Sequence, residues 1–192
     1  MIENIIKDIA NKELSSLLKI VDNGYLKKKE FIINCSDLED YNLNDIRDSE
    51  KFDTSDKSNK ELFLELEKLT GSVLYFFEIT SDFNPTEIVN SIKKYSSQPD
   101  SKKTPAIKKK YSDTNILYVG KVKRNFWGRV IQHLGYYKVK GTQGLQLFYW
   151  AKELKLELKL TALQFDSDAE NLVPMFEKKL AEIINPIIGK HK

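Results

Sequence analysis

Leucines at every second position make residues 154–160 the clearest strand in the sequence. Leu154, Leu156, Leu158 and Leu160 alternate with Lys155, Glu157 and Lys159. Successive side chains of a strand point to opposite faces, so this pattern buries one face and leaves the other in water. The chain must therefore contain a sheet that has one buried face.

The composition supports one ordinary domain, or a small domain that carries an extra module. The 192 residues are 41% hydrophobic and 11% aromatic, which excludes wholesale disorder, and 8 Gly and 5 Pro exclude a collagen-like chain. No uninterrupted apolar run exceeds the five residues of 73–77, and the charged N-terminal residues contain no signal-peptide core. The single Cys35 excludes an internal disulfide and a cysteine-based zinc site. We therefore expect a soluble, cytoplasmic protein with no membrane partner.

The remaining periodicities add strands and helices on both sides of this strand. Two further strands are predicted at 73–79 and 115–119, and residues 31–33 could form another short one. Helices are predicted at 2–23, after a Ser58/Glu61 capping box, and at 86–94, 125–133, 142–152 and 171–184. This order predicts an α+β fold around a small sheet.

The charge is unevenly distributed along the chain. Residues 1–100 carry a net charge of −7 and residues 101–192 a net charge of +10. Such a local excess of basic residues favours a polyanionic partner, nucleic acid above all, although a solvated lysine-rich face would give the same count. Five of the lysines lie at 102, 103, 108, 109 and 110, in a stretch that has no apolar period and that we interpret as a mobile loop.

The candidate functional residues are dispersed. The sequence has no glycine-rich phosphate loop, no His/Cys metal cluster and no Ser-His-Asp order. Tyr75 and Tyr118 each lie in a predicted strand, Arg129 and His133 share one helical face, and Glu177 lies in the last helix. Taken singly, these residues are also typical of core tyrosines, a solvated helical stripe and a surface carboxylate.

In combination the segments resemble the GIY-YIG nuclease superfamily. Val73-Leu74-Tyr75 is similar to the first family motif, and Tyr118-Val119-Gly120-Lys121 is similar to the second. Residues 125–133 resemble the helix in which the family keeps an Arg followed four residues later by a His. Glu177, with Pro186 nine residues later, resembles the metal-binding Glu and its trailing Pro.

The resemblance covers roughly residues 71–190 and implies an organisation for the whole chain. It implies a three-stranded, largely antiparallel sheet flanked by helices, which forms a nuclease domain over residues 71–192. Tyr118 follows Tyr75 by 43 positions, so the segment between them then contains an insertion at about 82–114. Residues 1–70 would form a mainly helical accessory region.

The resemblance also implies an activity, a cofactor and partners. It predicts a DNA endonuclease that depends on Mg²⁺ or Mn²⁺, acts on duplex DNA and could be a homodimer. Restriction or anti-phage defence is the expected role, because no zinc finger, helix-turn-helix or helicase-like region is attached. The predicted DNA contacts are Lys102, Lys103, Lys108, Lys109, Lys110, Lys121, Lys123 and Arg124.

Each matched residue receives a role from the resemblance. Glu177 would bind the metal, and Arg129 would hold two phosphate oxygens with its planar guanidinium. Tyr75 would position or deprotonate the attacking water, with His133 as its proton acceptor. Tyr118 would hydrogen-bond the scissile phosphate or a metal-bound water.

Two positions depart from the family pattern and keep an alternative open. Val73 stands where the first motif normally has Gly, and Gly189 stands where the family usually has Asn. Asn185, four residues earlier, is a candidate to replace that Asn. The alternative function is a DNA-binding module that has lost catalysis.

Overall fold

The computed structural model describes residues 2–39, 60–108, 114–137 and 139–190. The helices are α1 (Ile2–Asn23), α2 (Lys60–Glu67), α3 (Pro85–Ser96), α4 (Phe126–Leu134), α5 (Leu147–Trp150) and α6 (Val173–Ile184). The strands are β1 (Lys27–Asn34), β2 (Val73–Ile79), β3 (Ile116–Val122) and β4 (Glu157–Gln164). The predicted α+β class is confirmed. Ser58 of the predicted capping box lies outside the described residues.

The sheet has four antiparallel strands in the order β1-β4-β2-β3, so the predicted count of three was wrong. The additional strand is β1, which pairs with β4 over its whole length, from Lys27–Gln164 to Asn34–Glu157. Its lysine-rich first half, Lys27–Lys29, has low intrinsic strand propensity. Pairing with β4 and partial burial of every second residue extend the strand beyond the apolar residues 31–33.

Both faces of the sheet are covered, and successive side chains of β2 point alternately to one face and the other. Tyr75 and Phe77 point into the main core, where α2 packs against α4 and α3 packs against α5. Leu74 and Phe76 point into a second, smaller core beneath α6, which packs on β2 and β3. This alternation makes β2 a central strand buried on both sides.

Near residue 150, the observed bounds of one helix and one strand differ from the predicted bounds. The predicted helix 142–152 shortens to α5, four residues long, and the strand predicted from Leu154 begins at Glu157. Lys155 has a φ of 50°, in the left-handed region outside regular strand geometry, so Leu154 packs against the core from a turn.

The N-terminal region joins the same sheet and core, although the organisation of residues 1–70 as an accessory region stays a prediction. Ser16 is buried, and Ile20 packs against the second core. At the other end of α1, Ile2, Ile5 and Ile9 are more than half exposed.

Among the described residues, no helix is both long enough and apolar enough to cross a membrane.

The lysine-rich insertion is packed against the rest of the protein at Lys102, which differs from the expected mobile loop. This side chain is 8% exposed, and its ammonium group donates to the Gly135 carbonyl at 2.6 Å, at the C-terminus of α4. The ammonium also lies 5.2 Å from the centre of the Tyr149 ring. Burial lowers the pKa of Lys102 to about 8. The insertion is therefore packed onto α4 at this position.

Stability should depend on pH through Lys102. The unfolded chain keeps this lysine protonated to about pH 10, whereas the folded chain releases the proton near pH 8, so folding gains stability as pH rises between them. Relative to Lys102→Met, we expect wild type to gain about 1–3 kcal/mol between pH 8 and pH 10. Urea unfolding of both proteins measures this difference, and a pH-independent difference would contradict the assignment.

Candidate active site

The register of β2 and β3 places the two tyrosines on one face of the sheet. Tyr75 lies opposite Gly120, and Tyr118 lies opposite Phe77. Tyr118 is therefore the diagonal neighbour of Tyr75 on the main-core face. The two ring centres are 6.3 Å apart.

Gly120 leaves room for the Tyr75 ring beside β3. A Cβ atom at this position would come within 2.6 Å of the Tyr75 hydroxyl oxygen and within 2.7 Å of the Tyr118 ring. Real Cβ atoms do not approach so closely. The spacing of the Tyr-Val-Gly sequence thus has a steric reason here: the glycine leaves room for both tyrosines.

Helix α4 brings Arg129 and His133 to these tyrosines. Asn125 begins the helix in the left-handed conformation, and its side chain accepts a hydrogen bond from Gly128 N at 3.0 Å. Residues four apart share a helical face, so Arg129 and His133 both face β2. His133 is completely buried, with its ring centre 5.2 Å from that of Tyr118 and 5.5 Å from that of Tyr75.

A hydrogen bond of 2.8 Å joins the Tyr75 hydroxyl to His133 Nε2. The other ring nitrogen, Nδ1, faces the backbone N–H of Leu145 at 3.2 Å. A backbone N–H can only donate, so Nδ1 accepts, and the proton of the neutral ring is on Nε2. His133 therefore donates to Tyr75. This direction is opposite to the expected role of His133 as proton acceptor.

Arg129 is held by several oxygen atoms. Its Nε donates to the Tyr75 hydroxyl at 3.1 Å, and its Nη1 donates to Gln132 Oε1 at 2.8 Å and to the Gln143 carbonyl at 2.7 Å. Nε and Nη1 are therefore bound to protein groups, and Arg129 also has a side-chain hydrogen bond to Tyr118. The Tyr75 oxygen in turn receives two donors, one from Arg129 and one from His133.

Burial and the Arg129 charge set the protonation states of the cluster. Burial raises the pKa of Tyr75 well above its usual value, against the opposing effect of Arg129, and it raises the pKa of Tyr118 in the same way. Burial also lowers the pKa of His133 well below its ordinary value, and the positive Arg129 adds to this shift. The resting cluster consists of two neutral phenols, a neutral imidazole and one guanidinium cation.

Glu177 approaches from the other layer of the fold. It lies on α6, its side chain is 12% exposed, and its carboxylate is 3.5 Å from the Lys121 ammonium. Its negative charge raises the pKa of both Tyr75 and Tyr118. Because β3 is an edge strand, groups from both faces of the sheet can meet around it. The structure thus brings all five predicted catalytic residues into one neighbourhood.

Glu177 is the carboxylate of this site that could contribute to binding a magnesium ion. Among the described residues, there is no group of three or more His, Cys, Asp or Glu side chains that could hold a metal ion by itself. Mg²⁺ keeps several waters and needs only one or two carboxylates together with substrate phosphates. The partly buried Glu177 carboxylate meets that requirement.

The predicted DNA-binding residues have varied surroundings. Lys121 and Lys123 are paired with Glu177 and Glu170, the latter at 3.1 Å. The Lys103 and Arg124 side chains are exposed, and Arg124 lines a groove of about 410 Å³ with residues 69–71 and 125–127.

Two further members of the predicted DNA-binding set, besides Lys121 and Lys123, are bound to protein groups. Lys102 is buried against Gly135, and Lys108 donates to Asn185 Oδ1 at 2.9 Å. Lys109 and Lys110 lie outside the described residues.

Residues 139–146 also support the site, although the sequence motifs did not identify them. This segment supplies the Gln143 carbonyl to Arg129 and the Leu145 N–H to His133. The available signal was the pair Gly141 and Gly144, since two glycines argue against the helix predicted from residue 142. A Cβ on Gly144 would come within 2.3 Å of the Gln132 carbonyl oxygen, so this glycine allows a close approach to α4.

Comparison of the chain with protein-family models, curated proteins and solved structures yields no match. The site is therefore interpreted from its own geometry.

Replacing Gly120 by Ala should displace Tyr75. The added methyl overlaps the Tyr75 hydroxyl and both rings must shift, which we expect to cost about 1–3 kcal/mol of unfolding free energy. Urea denaturation measures the loss. Gly141→Ala is the matched control: nothing lies within 4 Å of its added methyl, so its stability should change by less than about 0.5 kcal/mol. Equal effects of the two substitutions would contradict the packing described.

Proposed function

We propose that this protein is a divalent-metal-dependent DNA endonuclease of the GIY-YIG type. The observation that carries the proposal is the convergence of Tyr75, Tyr118, Arg129 and His133 on one hydrogen-bonded cluster, with Glu177 close enough to act on the tyrosines electrostatically. Tyr75 and His133 are 58 positions apart in the sequence. A role in restriction or anti-phage defence stays a prediction.

In the proposed reaction Tyr75 activates the attacking water. Hydrogen bonds from Arg129 Nε and His133 Nε2 stabilise negative charge on the Tyr75 oxygen, so its phenolate can take a proton from water. The resulting hydroxide attacks phosphorus, and the leaving oxygen is protonated from solvent. His133 thereby acts as a fixed donor that orients Tyr75.

Arg129 supplies positive charge next to the scissile phosphate. Because Nε and Nη1 are engaged by Tyr75, Gln132 and Gln143, the guanidinium is rigid, and we expect Nη2 to make the main phosphate contact. This replaces the two-point grip suggested by the family resemblance. Tyr118 lies beside it and would hydrogen-bond the same phosphate.

Glu177 would hold the metal, which when bound would supply charge neutralisation at the phosphate. Lys121 would then pair with a phosphate of the DNA instead of with Glu177. DNA is the proposed partner because Lys121 in β3, Lys123 and the exposed Arg124 just after it, and the exposed Lys103 supply positive charge for phosphate contacts.

Glu177→Gln should separate metal binding from folding. The amide keeps the size of the side chain but loses the charge that holds Mg²⁺, so we expect plasmid cleavage to fall by about 10²-fold or more. DNA affinity should stay equal or rise, because Lys121 loses its acidic partner. Plasmid nicking with Mg²⁺, an EDTA control and thermal unfolding measure these effects.

The matched control is Glu182→Gln on the same helix, where the carboxylate pairs with Lys179 at 2.9 Å. This variant should cut like wild type. If wild type and Glu177→Gln cut equally, the metal assignment is refuted. If the wild-type protein shifts plasmid in a gel but leaves it uncut with every divalent metal, the result would instead support the inactive DNA-binding module.

The cleavage rate should rise with pH without a plateau between pH 7 and pH 9. The pKa of Tyr75 lies above its usual value, so its phenolate fraction grows about tenfold per pH unit throughout this range. Single-turnover cleavage at saturating Mg²⁺ measures the slope, and Tyr75→Phe should lose it together with the activity. A plateau near pH 7 would assign the proton transfer to another group.

A further inference from the structure

Residues 139–146 contact the site through backbone atoms. The Leu145 N–H donates to His133 Nδ1 at 3.2 Å, and the Gln143 carbonyl accepts from Arg129 Nη1 at 2.7 Å. Since neither bond uses a side chain of the segment, its backbone path decides whether the two contacts form.

The insertion holds that path in place. Lys103 N donates to the Lys140 carbonyl at 3.0 Å, and Gly144 N donates to the Lys103 carbonyl at 3.1 Å. Gln143 Nε2 donates to the Thr104 carbonyl at 3.0 Å. The insertion is itself anchored, because Lys102 binds Gly135 through its ammonium and the Tyr95 hydroxyl, at 2.8 Å, through its backbone N–H.

We propose that Gln143 is a positioning residue. The hydrogen bond from its side-chain amide to the Thr104 carbonyl places the Leu145 N–H where it fixes the tautomer of His133. The chain of contacts runs from the insertion through Gln143 to the imidazole, and from there to the Tyr75 oxygen. The catalytic consequence rests on the proposed nuclease function, whereas the tautomer is a property of the folded protein alone.

The tautomer matters because it sets the direction of the bond between His133 and Tyr75. With the proton on Nε2, the imidazole donates to the Tyr75 oxygen and favours the phenolate. With the proton on Nδ1, Nε2 would accept from the Tyr75 hydroxyl and favour the neutral phenol. Loosening the 139–146 segment should therefore lower the turnover rate and leave DNA affinity unchanged.

Nitrogen-15 NMR of histidine tests this directly. The chain has two histidines, so His191→Gln leaves His133 as the only labelled ring. In this background we expect a protonated Nε2 and a hydrogen-bonded, unprotonated Nδ1. Adding Gln143→Leu removes the amide without adding charge, and should give a mixture of tautomers and at least about tenfold faster exchange of the Leu145 amide.

The matched control is Gln98→Leu, an exposed glutamine in the same insertion, which should leave both signals unchanged. In plasmid cleavage, Gln143→Leu should lower kcat by about 10-fold to 100-fold with KM unchanged. The comparison with Gln98→Leu removes the effect of adding a leucine.

A proton on Nδ1 in the protein with native Gln143 would overturn the proposal, whether or not Gln143→Leu folds. So would an unchanged tautomer and Leu145 exchange rate in folded Gln143→Leu. If the tautomer shifts as expected but the native protein never cuts DNA, the nuclease function fails and the positioning role of Gln143 stands. If the native protein cuts DNA but the tautomer does not behave as expected, the positioning role of Gln143 fails and the nuclease function stands.

Discussion

The buried hydrogen bond between Tyr75 and His133 is the contact on which the rest of the site depends. It joins the central strand β2 to α4 in the main core, at a heavy-atom distance of 2.8 Å. Unpaired polar groups are costly in such a place, so both side chains need all their partners. Arg129 Nε and the Leu145 N–H supply those partners, and Gly120 leaves the room that the Tyr75 ring needs.

Much of the fold could be predicted from local patterns, because strands and helices with one buried face repeat apolar residues at their own period. These patterns place Tyr75 in a strand and Arg129 and His133 on one helical face, whereas the resemblance of the motifs singles the three residues out as a site. β1 was only partly recognised, since pairing with β4 outweighs the weak strand propensity of its lysines. The left-handed backbone conformation of Lys155 delays the start of β4 to Glu157, and the alternation of leucines and charged residues gives no sign of this conformation.

The supporting contacts of the site could not be predicted, because they involve backbone atoms or reverse the usual preference of a residue. The Gln143 carbonyl and the Leu145 N–H leave no signature in side-chain type. Lys102 was expected in a mobile loop, yet its side chain is buried and its ammonium group donates to the Gly135 carbonyl at the end of α4. The direction of the His133 bond likewise depends on a backbone donor.

The strand order explains how one edge of the sheet can combine groups from two layers. β1 adds to the edge opposite β3, so the N-terminal strand enlarges the sheet without covering the side where Tyr118 and Lys121 lie. At β3 itself, Ile187 N and Ile188 N donate to the carbonyls of Ile116 and Leu117 at 2.9 and 3.0 Å, so the chain after α6 is fastened there. That attachment fixes α6, and with it Glu177, relative to the tyrosines. Because β3 lies at the edge of the sheet and α6 packs on it, the Glu177 carboxylate on one side can act electrostatically on Tyr75 and Tyr118 on the other.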